Sequence, residues 1–269
     1  MNRTEREMLD ILKELRQEYG AVSVKAEFEA EGTRTEELLR LIDLARRVDL
    51  KVGLKIGGCE AVRDLIESKY FGVEYIIAPM VETPYALKKF IEAKNSTYSD
   101  EQKQDTSFLF NIETITAFNN LDGLIATAKA EDGVQGGVFG RVDFAGSNNL
   151  PRSAINAQGV TDYVIRTAAA LKAANLELVV GGSVDIGAIP ELRKIRAVHL
   201  SRFETRKVIF DGAAIENQSI VKGLQKTVNF ELLWLKNKRD YYGAIHVEDA
   251  SRIKMLDERW AQIKAGLNV

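Results

Sequence analysis

A single (β/α)8 barrel of the TIM type, an α/β fold with an N-terminal helix and a C-terminal helical extension, is what the sequence predicts. Three observations predict it. Strand-like and helix-like patterns alternate from residue 21 to 202 with short connections, which argues for a parallel sheet covered by helices. The chain has 269 residues, close to the roughly 250 typical of one such barrel. Hydrophobic residues make up 45% of it, enough for a full core and too many for a disordered chain. The expected division is a helix over 1–20, the barrel over 21–212 and helices over 213–269, all in one domain.

Each element has a local reason. Thr4 and Glu7 fit a capping box, and Met8, Leu9, Ile11, Leu12 and Leu15 follow at helical spacing until Gly20. In residues 21–32, Val22, Val24, Ala26 and Phe28 alternate with polar residues, the period of a strand. The polar face is odd for an outer surface, because Glu27, Glu29 and Glu31 crowd three acids at its carboxyl end. Thr33 and Glu36 suggest a second capping box, followed by a helix to Val48. KVGLKIGG (51–58) reads as the next strand, with Lys55 near its end. GVEYIIAPM (72–80) is another, and Thr83-Pro84 starts a helix, proline being tolerated at the first helical position. Residues 94–105 read as a surface loop or helix end.

Two apolar runs, 106–113 and 136–144, read as neighbouring parallel strands joined by a helix. LELVVGG (176–182) and AVHLSR (197–202) are further strands, with a helix starting near Gly187 and Pro190 between them. KVIFDG (207–212) follows too closely for a parallel crossover, which needs a dozen residues or more. It either turns back as a hairpin or lies outside the barrel, and it is the candidate for the eighth strand. Two helices are expected from residue 215 onward.

Composition excludes several classes. A net charge of −2 gives no electrostatic case for nucleic acid or an anionic membrane. One cysteine, Cys59, and two histidines, His199 and His246, exclude an intrachain disulfide framework and a multi-histidine or cysteine zinc site. The amino terminus has no signal-peptide core, and no stretch approaches 18 apolar residues. A soluble, cytoplasmic protein is expected. There is no G-x-G-x-x-G, P-loop or solenoid repeat.

Glu113 and Asp143 close the two central runs. If those runs are adjacent parallel strands, the acids meet at the barrel end where chemistry is done. They suit a hard divalent cation, since Mg²⁺ takes one or two carboxylates and leaves its other positions to water and substrate. Ordinary strand-end acids are the other reading.

The blocks EFEAEG (27–32), GLKIGG (53–58), EYIIAPMVETPYAL (74–87), FNIETITAFNNLDGLIA (110–126) and GRVDFAGS (140–147), in this order, resemble the HpcH/HpaI aldolase/citrate lyase β family. These are metal-dependent barrels that handle pyruvate, oxaloacetate and related 2-keto acids. The resemblance implies that Glu113 and Asp143 ligate Mg²⁺ (or Mn²⁺). It also implies that the backbone amides around Arg141, Val142 and Asp143 receive the keto-acid carboxylate, as a turn of exposed N–H groups can. Lys55 stands where the family usually carries an arginine. It is either an electrophile at the keto oxygen or a structural partner of Glu29 or Glu27, and a Schiff-base role would be redundant beside the metal.

The sequence departs from the family at the base. The sugar-acid aldolases carry a histidine after the acid matching Glu29, where this chain has Ala30, and the acid that orients that histidine aligns near Tyr70. Glu29 is the residue expected to move the proton in its place, and holding water or Lys55 is its other reading. Arg141 stands where proline is common; its side chain either enters the mouth to bind a second carboxylate or phosphate, or is solvated. His199 is expected to be a satisfied core or rim residue. Arg202, Arg206 and Lys207 form a basic run that could take a phosphorylated group or be a solvated face. The aromatic helix over 230–242, with Trp234, Tyr241 and Tyr242, is expected to pack, and late helices in this family often reach a neighbouring subunit, so a homo-oligomer is expected. The function implied is a metal-dependent carbon–carbon lyase or aldolase acting on a 2-keto acid through an enolate. The alternative is a keto-acid-binding relative that has lost turnover with the general base.

Overall fold

In the computed structural model, which describes residues 1–267, eight strands close into a barrel in sequence order. The strands are β1 (Ala21–Glu27), β2 (Lys51–Lys55), β3 (Tyr75–Ala78), β4 (Ser107–Ile112), β5 (Gly136–Gly140), β6 (Glu177–Gly181), β7 (Arg202–Glu204) and β8 (Val208–Asp211). Around and beyond them run α1 (Arg3–Tyr19), α2 (Thr35–Arg46), α3 (Val62–Phe71), α4 (Pro84–Thr97), α5 (Ile115–Asn119), α6 (Leu121–Ala128), α7 (Arg141–Ser147), α8 (Gln158–Ala173), α9 (Ile189–Val198) and α10 (Ile220–Leu267).

β1 to β7 are parallel, but β8 runs antiparallel to both β7 and β1. The hairpin reading of 207–212 holds, and its cause is the short link 205–207. The Thr205 amide donates to the Val208 carbonyl at 2.9 Å and its hydroxyl accepts from the Val208 amide at 3.1 Å, which turns the chain back at once. The eighth strand is therefore the missing closure of the barrel, delivered from the opposite direction.

Four expectations are corrected. The first helix is capped by a box formed by Asn2 and Glu5 rather than Thr4 and Glu7, and α2 starts after Arg34 with no side-chain cap. The run over 136–144 is not one strand: β5 stops at Gly140 and α7 begins at Arg141, so Asp143 lies in a first helical turn. AVHLSR is a helix end and a link, because Val198 still belongs to α9 and β7 starts at Arg202. In both places a short apolar run carried no period by which strand and helix differ. The C-terminal part is one 48-residue helix, not two. Gly243 is the only glycine or proline between the two expected segments, and a single glycine costs about 1 kcal/mol without ending a helix.

The main core lies between the strands and their covering helices. Inside the barrel, Ile77, Leu109, Val138 and Val179 form a separate buried layer contributed by β3 to β6. Below it, at the amino ends of the strands, Arg202 pairs with Glu177 and stacks 4.4 Å from the Tyr75 ring centroid. Above it, toward the carboxyl ends, the interior turns polar.

Candidate active site

The polar layer opens into a cavity of about 470 Å³ at the carboxyl ends of the strands. The odd face of β1 explains itself here, since Lys25 and Glu27 point into the barrel and not to solvent. Lys25 Nζ donates to Glu204 at 2.6 Å and lies 3.0 Å from Glu27. Beside this trio, Lys55 Nζ lies 3.2 Å from Glu29 Oε2 and 3.5 Å from Glu113 Oε2. The site thus contains two lysines bridging four glutamates, with Asp143 exposed at the rim.

Glycines make room for the acids. A Cβ on Gly140 would come within 2.9 Å of the Glu113 side chain, and one on Gly181 within 2.8 Å of Glu204 Oε1. Each acid therefore occupies space left by a glycine on a neighbouring strand. Glu113 is 1% exposed, and both its oxygens are held. The Met80 amide donates to Oε1 at 2.9 Å and the Asn111 side-chain amide to Oε2 at 2.5 Å.

Burial and pairing compete at each group. Burial dominates at Glu113 and raises its carboxyl above the ordinary range, against the pull of Lys55 and its two donors. At Lys55 burial is the largest single influence and would lower the ammonium, but Glu113, Glu29 and Glu27 together outweigh it and raise it. The lysine is thus held protonated, a poor state for a Schiff-base nucleophile. Burial likewise opposes charge at Lys25 and Glu27, yet pairing wins: Glu204 and then Glu27 raise Lys25, and Lys25 lowers Glu27.

Glu29 Oε2 and Asn111 Oδ1 are buried without a hydrogen-bond partner, Lys55 being near Glu29 but not aligned to donate. Two orphan acceptors in a cavity with more carboxylates than lysines call for a cation or a donor. That donor set, oxygen atoms with a negative excess, is of the kind that suits a hard divalent ion. Among the described residues no group of three or more His, Cys, Asp or Glu converges at metal-binding spacing. The chain would therefore supply two ligands at most, and water and substrate the rest.

Val142 and Asp143 line the cavity, and the Arg141 and Val142 amides begin α7. Gly182 faces them at φ +83°; a Cβ there would lie 2.7 Å from the Val142 nitrogen and 2.8 Å from that of Arg141. The Gly182 backbone can pack this close to the two amides because residue 182 has no side chain. Gly182→Ala is expected to cost about 1–2 kcal/mol in backbone strain and to weaken oxalate binding at the cavity. Urea unfolding and titration of the folded variant with oxalate measure the two effects separately.

The Arg141 side chain does neither thing expected of it. It is 1% exposed and donates to the carbonyls of Gly181, Gly182 and Ser183 and to Asn156 Oδ1. It anchors the turn after β6 to α7 through four of its five N–H donors. The basic run is also spoken for: Arg202 lies at the opposite barrel end, and Lys207 pairs with Glu31. Arg206 alone stays 58% exposed at the rim, within 4.0 Å of Glu31 and 3.9 Å of Glu231. His199 caps α9 and its Nε2 bonds the Leu176 carbonyl at 2.9 Å, a satisfied rim residue.

Sequence reasoning missed Lys25, Glu204, Asn111 and Gly182. For Lys25 a signal existed in the alternation of β1; for Glu204, on a three-residue strand, none did.

No protein-family model matches the sequence, and no curated protein does. Solved structures do match in three dimensions. An HpcH/HpaI aldolase from Desulfitobacterium hafniense DCB-2 aligns at 13% identity with TM-score 0.58, over 82% of this chain and 88% of that one. An HpcH/HpaI aldolase/citrate lyase family protein from Burkholderia cenocepacia J2315 aligns at 14% identity with TM-score 0.59, over 83% and 90%. A variant of the citrate synthase SbnG aligns at 17% identity with TM-score 0.54, over 74% and 81%. The chain has the barrel fold of HpcH/HpaI aldolase and citrate lyase family proteins, the family that its motifs resemble.

Proposed function

We propose that this protein is a metal-dependent carbon–carbon lyase acting on a small 2-keto acid of the pyruvate or oxaloacetate type. The observation that carries the reading is Lys55, held between Glu29 and Glu113 at the mouth of the barrel beside an unpartnered Glu29 oxygen. Glu113 and Asp143 would hold Mg²⁺ or Mn²⁺, which supplies Lewis-acid stabilisation of negative charge on the keto oxygen.

The chain's own residues do the rest. The Arg141 and Val142 amides receive the carboxylate in the space beside Gly182. The Lys55 ammonium donates one charge-assisted hydrogen bond to the keto oxygen as it gains charge. Glu29, half-buried and with one oxygen free of hydrogen bonds, takes the proton from the carbon next to the keto group. Lys25 keeps Glu27 ionised and holds both Glu27 and Glu204 in place, which fixes the floor of the cavity. A small keto acid is supported by the size of the cavity.

Incubation with pyruvate in D₂O tests this. Methyl protons are expected to exchange when Mg²⁺ or Mn²⁺ is present, to stop on chelation, and to slow at least 10²-fold in Glu29→Gln, the usual worth of a general base. The missing histidine at Ala30 favours a second reading, a keto-acid-binding protein without turnover. Metal-dependent binding of 2-keto acids with no exchange for any of them would establish that one and overturn the lyase.

A further inference from the structure

We infer that Lys94 is a second reactive centre of this chain, a buried amine that captures carbon dioxide as a carbamate at the barrel end opposite the keto-acid cavity. Lys25, Lys55, Lys94 and Lys207 are the buried lysines among the described residues. Three of them sit against carboxylates: Lys25 on Glu27 and Glu204, Lys55 on Glu29 and Glu113, Lys207 on Glu31. Lys94 is 2% exposed and pairs with no carboxylate among the described residues. Its Nζ instead donates to the Asp132 carbonyl and to Asn95 Oδ1, both at 2.6 Å, and lies 5.2 Å from the Phe108 ring centroid. A buried charge without a counter-charge is costly, and such a group tends to lose it.

The surroundings favour the neutral form. Lys94 lines a cavity of about 500 Å³ at the amino ends of β4, β5 and β6. The other charged residues of that cavity are Asp100 and Lys103, from the link before β4, and Lys129 and Asp132, from the link before β5. They are two of each sign, so the cavity is balanced when Lys94 is an amine and has a positive excess when it is an ammonium. Burial first, and then the charge of Lys103, push Lys94 down to about 8, against the pull of Asp132. About a tenth of it is then free amine at pH 7, roughly a few hundred times the fraction in an ordinary lysine. The amine is also oriented. Its two N–H groups satisfy both acceptors, which leaves the lone pair for an electrophile. The Asp132 carbonyl is fixed by a left-handed Asp132, φ 54°, and by Gly133, where a Cβ would lie 2.0 Å from the Ala128 carbonyl oxygen.

The step balances without an oxidant or a leaving group. The Nζ lone pair forms a C–N bond to the carbon of CO₂, a C=O π pair moves onto oxygen, and one N–H proton leaves to water. The carbamate keeps one N–H for Asn95 Oδ1, and the Asp132 carbonyl retains the Asn95 side-chain amide at 3.4 Å. The new negative charge falls within the field of Lys103, whose ammonium lies 2.7 Å from Asp100 and 3.6 Å from Asp132. An aldehyde or keto acid would instead lose water and leave an imine, neutral or cationic, which Lys103 does not stabilise. Charge therefore selects CO₂, and its small size and neutrality suit a nitrogen with so little exposure.

Carbon-13 NMR of the full chain in ¹³C-bicarbonate near neutral pH tests this. A carbamate resonance is expected in the wild type and is expected to be missing from Lys94→Arg, with circular dichroism checking that the variant is folded. Lys103→Gln is expected to weaken the resonance at least five-fold, because it removes the charge that both frees the amine and holds the product. Trapping the carbamate by ethylation with triethyloxonium, followed by peptide mass spectrometry, assigns the position in the unmutated protein. Label at Lys94 is expected to exceed that at the exposed Lys88 at least ten-fold. No resonance at saturating bicarbonate, a resonance that survives in Lys94→Arg, or label spread evenly over the exposed lysines overturns the proposal. So does borohydride fixation of pyruvate on Lys94 in place of CO₂. None of these readouts depends on turnover at the other end of the barrel.

Discussion

Lys25→Met is expected to destabilise the barrel by about 3–5 kcal/mol, the cost of removing one partner from a buried ion pair. Two carboxylates depend on this one ammonium: Glu204 at 2.6 Å and Glu27 at 3.0 Å. All three side chains are about a tenth exposed or less, so water cannot take over the role of the lysine. Chemical unfolding gives the size of the effect, and a second variant assigns it. Lys25→Met combined with Glu204→Gln removes one of the abandoned charges and is expected to recover a large part of the loss. If the double variant is no better than the single one, lost packing and not an orphaned charge is responsible. The pH dependence has a definite sign. The carboxyl of Glu27 is lowered in the folded protein, so its pairing stabilises above the ordinary carboxylate range and is lost as the pH falls through the lowered value. The gap between wild type and Lys25→Met is therefore expected to narrow in acid, where the pair no longer contributes.

The barrel was legible because seven of its strands are separated by helical patterns long enough to cross over, and a repeated period survives local errors. The eighth strand was legible as an exception: its distance from β7 allowed only a hairpin or exclusion, and the hairpin closed the ring. Glu113 was found as a carboxylate closing a strand-like run and Lys55 by the resemblance of short blocks, and the structure brings them within 3.5 Å. What stayed hidden depends on contacts between distant residues. Lys25 and Glu204 are 179 positions apart, and nothing local to either requires the other. Arg141 reads as a surface or ligand residue, because arginines are seldom fully buried. Only the fold shows that three carbonyls of the turn after β6 and Asn156 surround its guanidinium.

Glu113→Gln separates stability from chemistry at the same atom. Keto-acid exchange is expected to fall about 10³-fold, equivalent to several kcal/mol of stabilisation from a bound cation. Stability is expected to move the other way. The Glu113 carboxyl is raised by burial, so the folded protein binds its proton more tightly than the unfolded chain does. Stability thus declines as the pH rises from the ordinary carboxylate value through the raised one, and the full penalty is present at neutral pH. Glutamine carries no charge and escapes it. It can also rebuild the local bonds: its oxygen can accept from the Met80 amide, and once the Asn111 amide turns over, its NH₂ can donate to Asn111 Oδ1 in place of the bond Asn111 Nδ2 now donates to Glu113 Oε2. Lys55 retains Glu29 at 3.2 Å. The melting midpoint of Glu113→Gln should therefore exceed that of wild type at neutral pH in metal-free buffer. The advantage should vanish in acid, where Glu113 is itself protonated. Added Mg²⁺ should reverse the order, since only wild type gains stability from binding it. A variant that loses exchange and stability together, with no response of wild type to Mg²⁺, would make Glu113 a structural partner of Lys55 and leave the divalent ion without a seat.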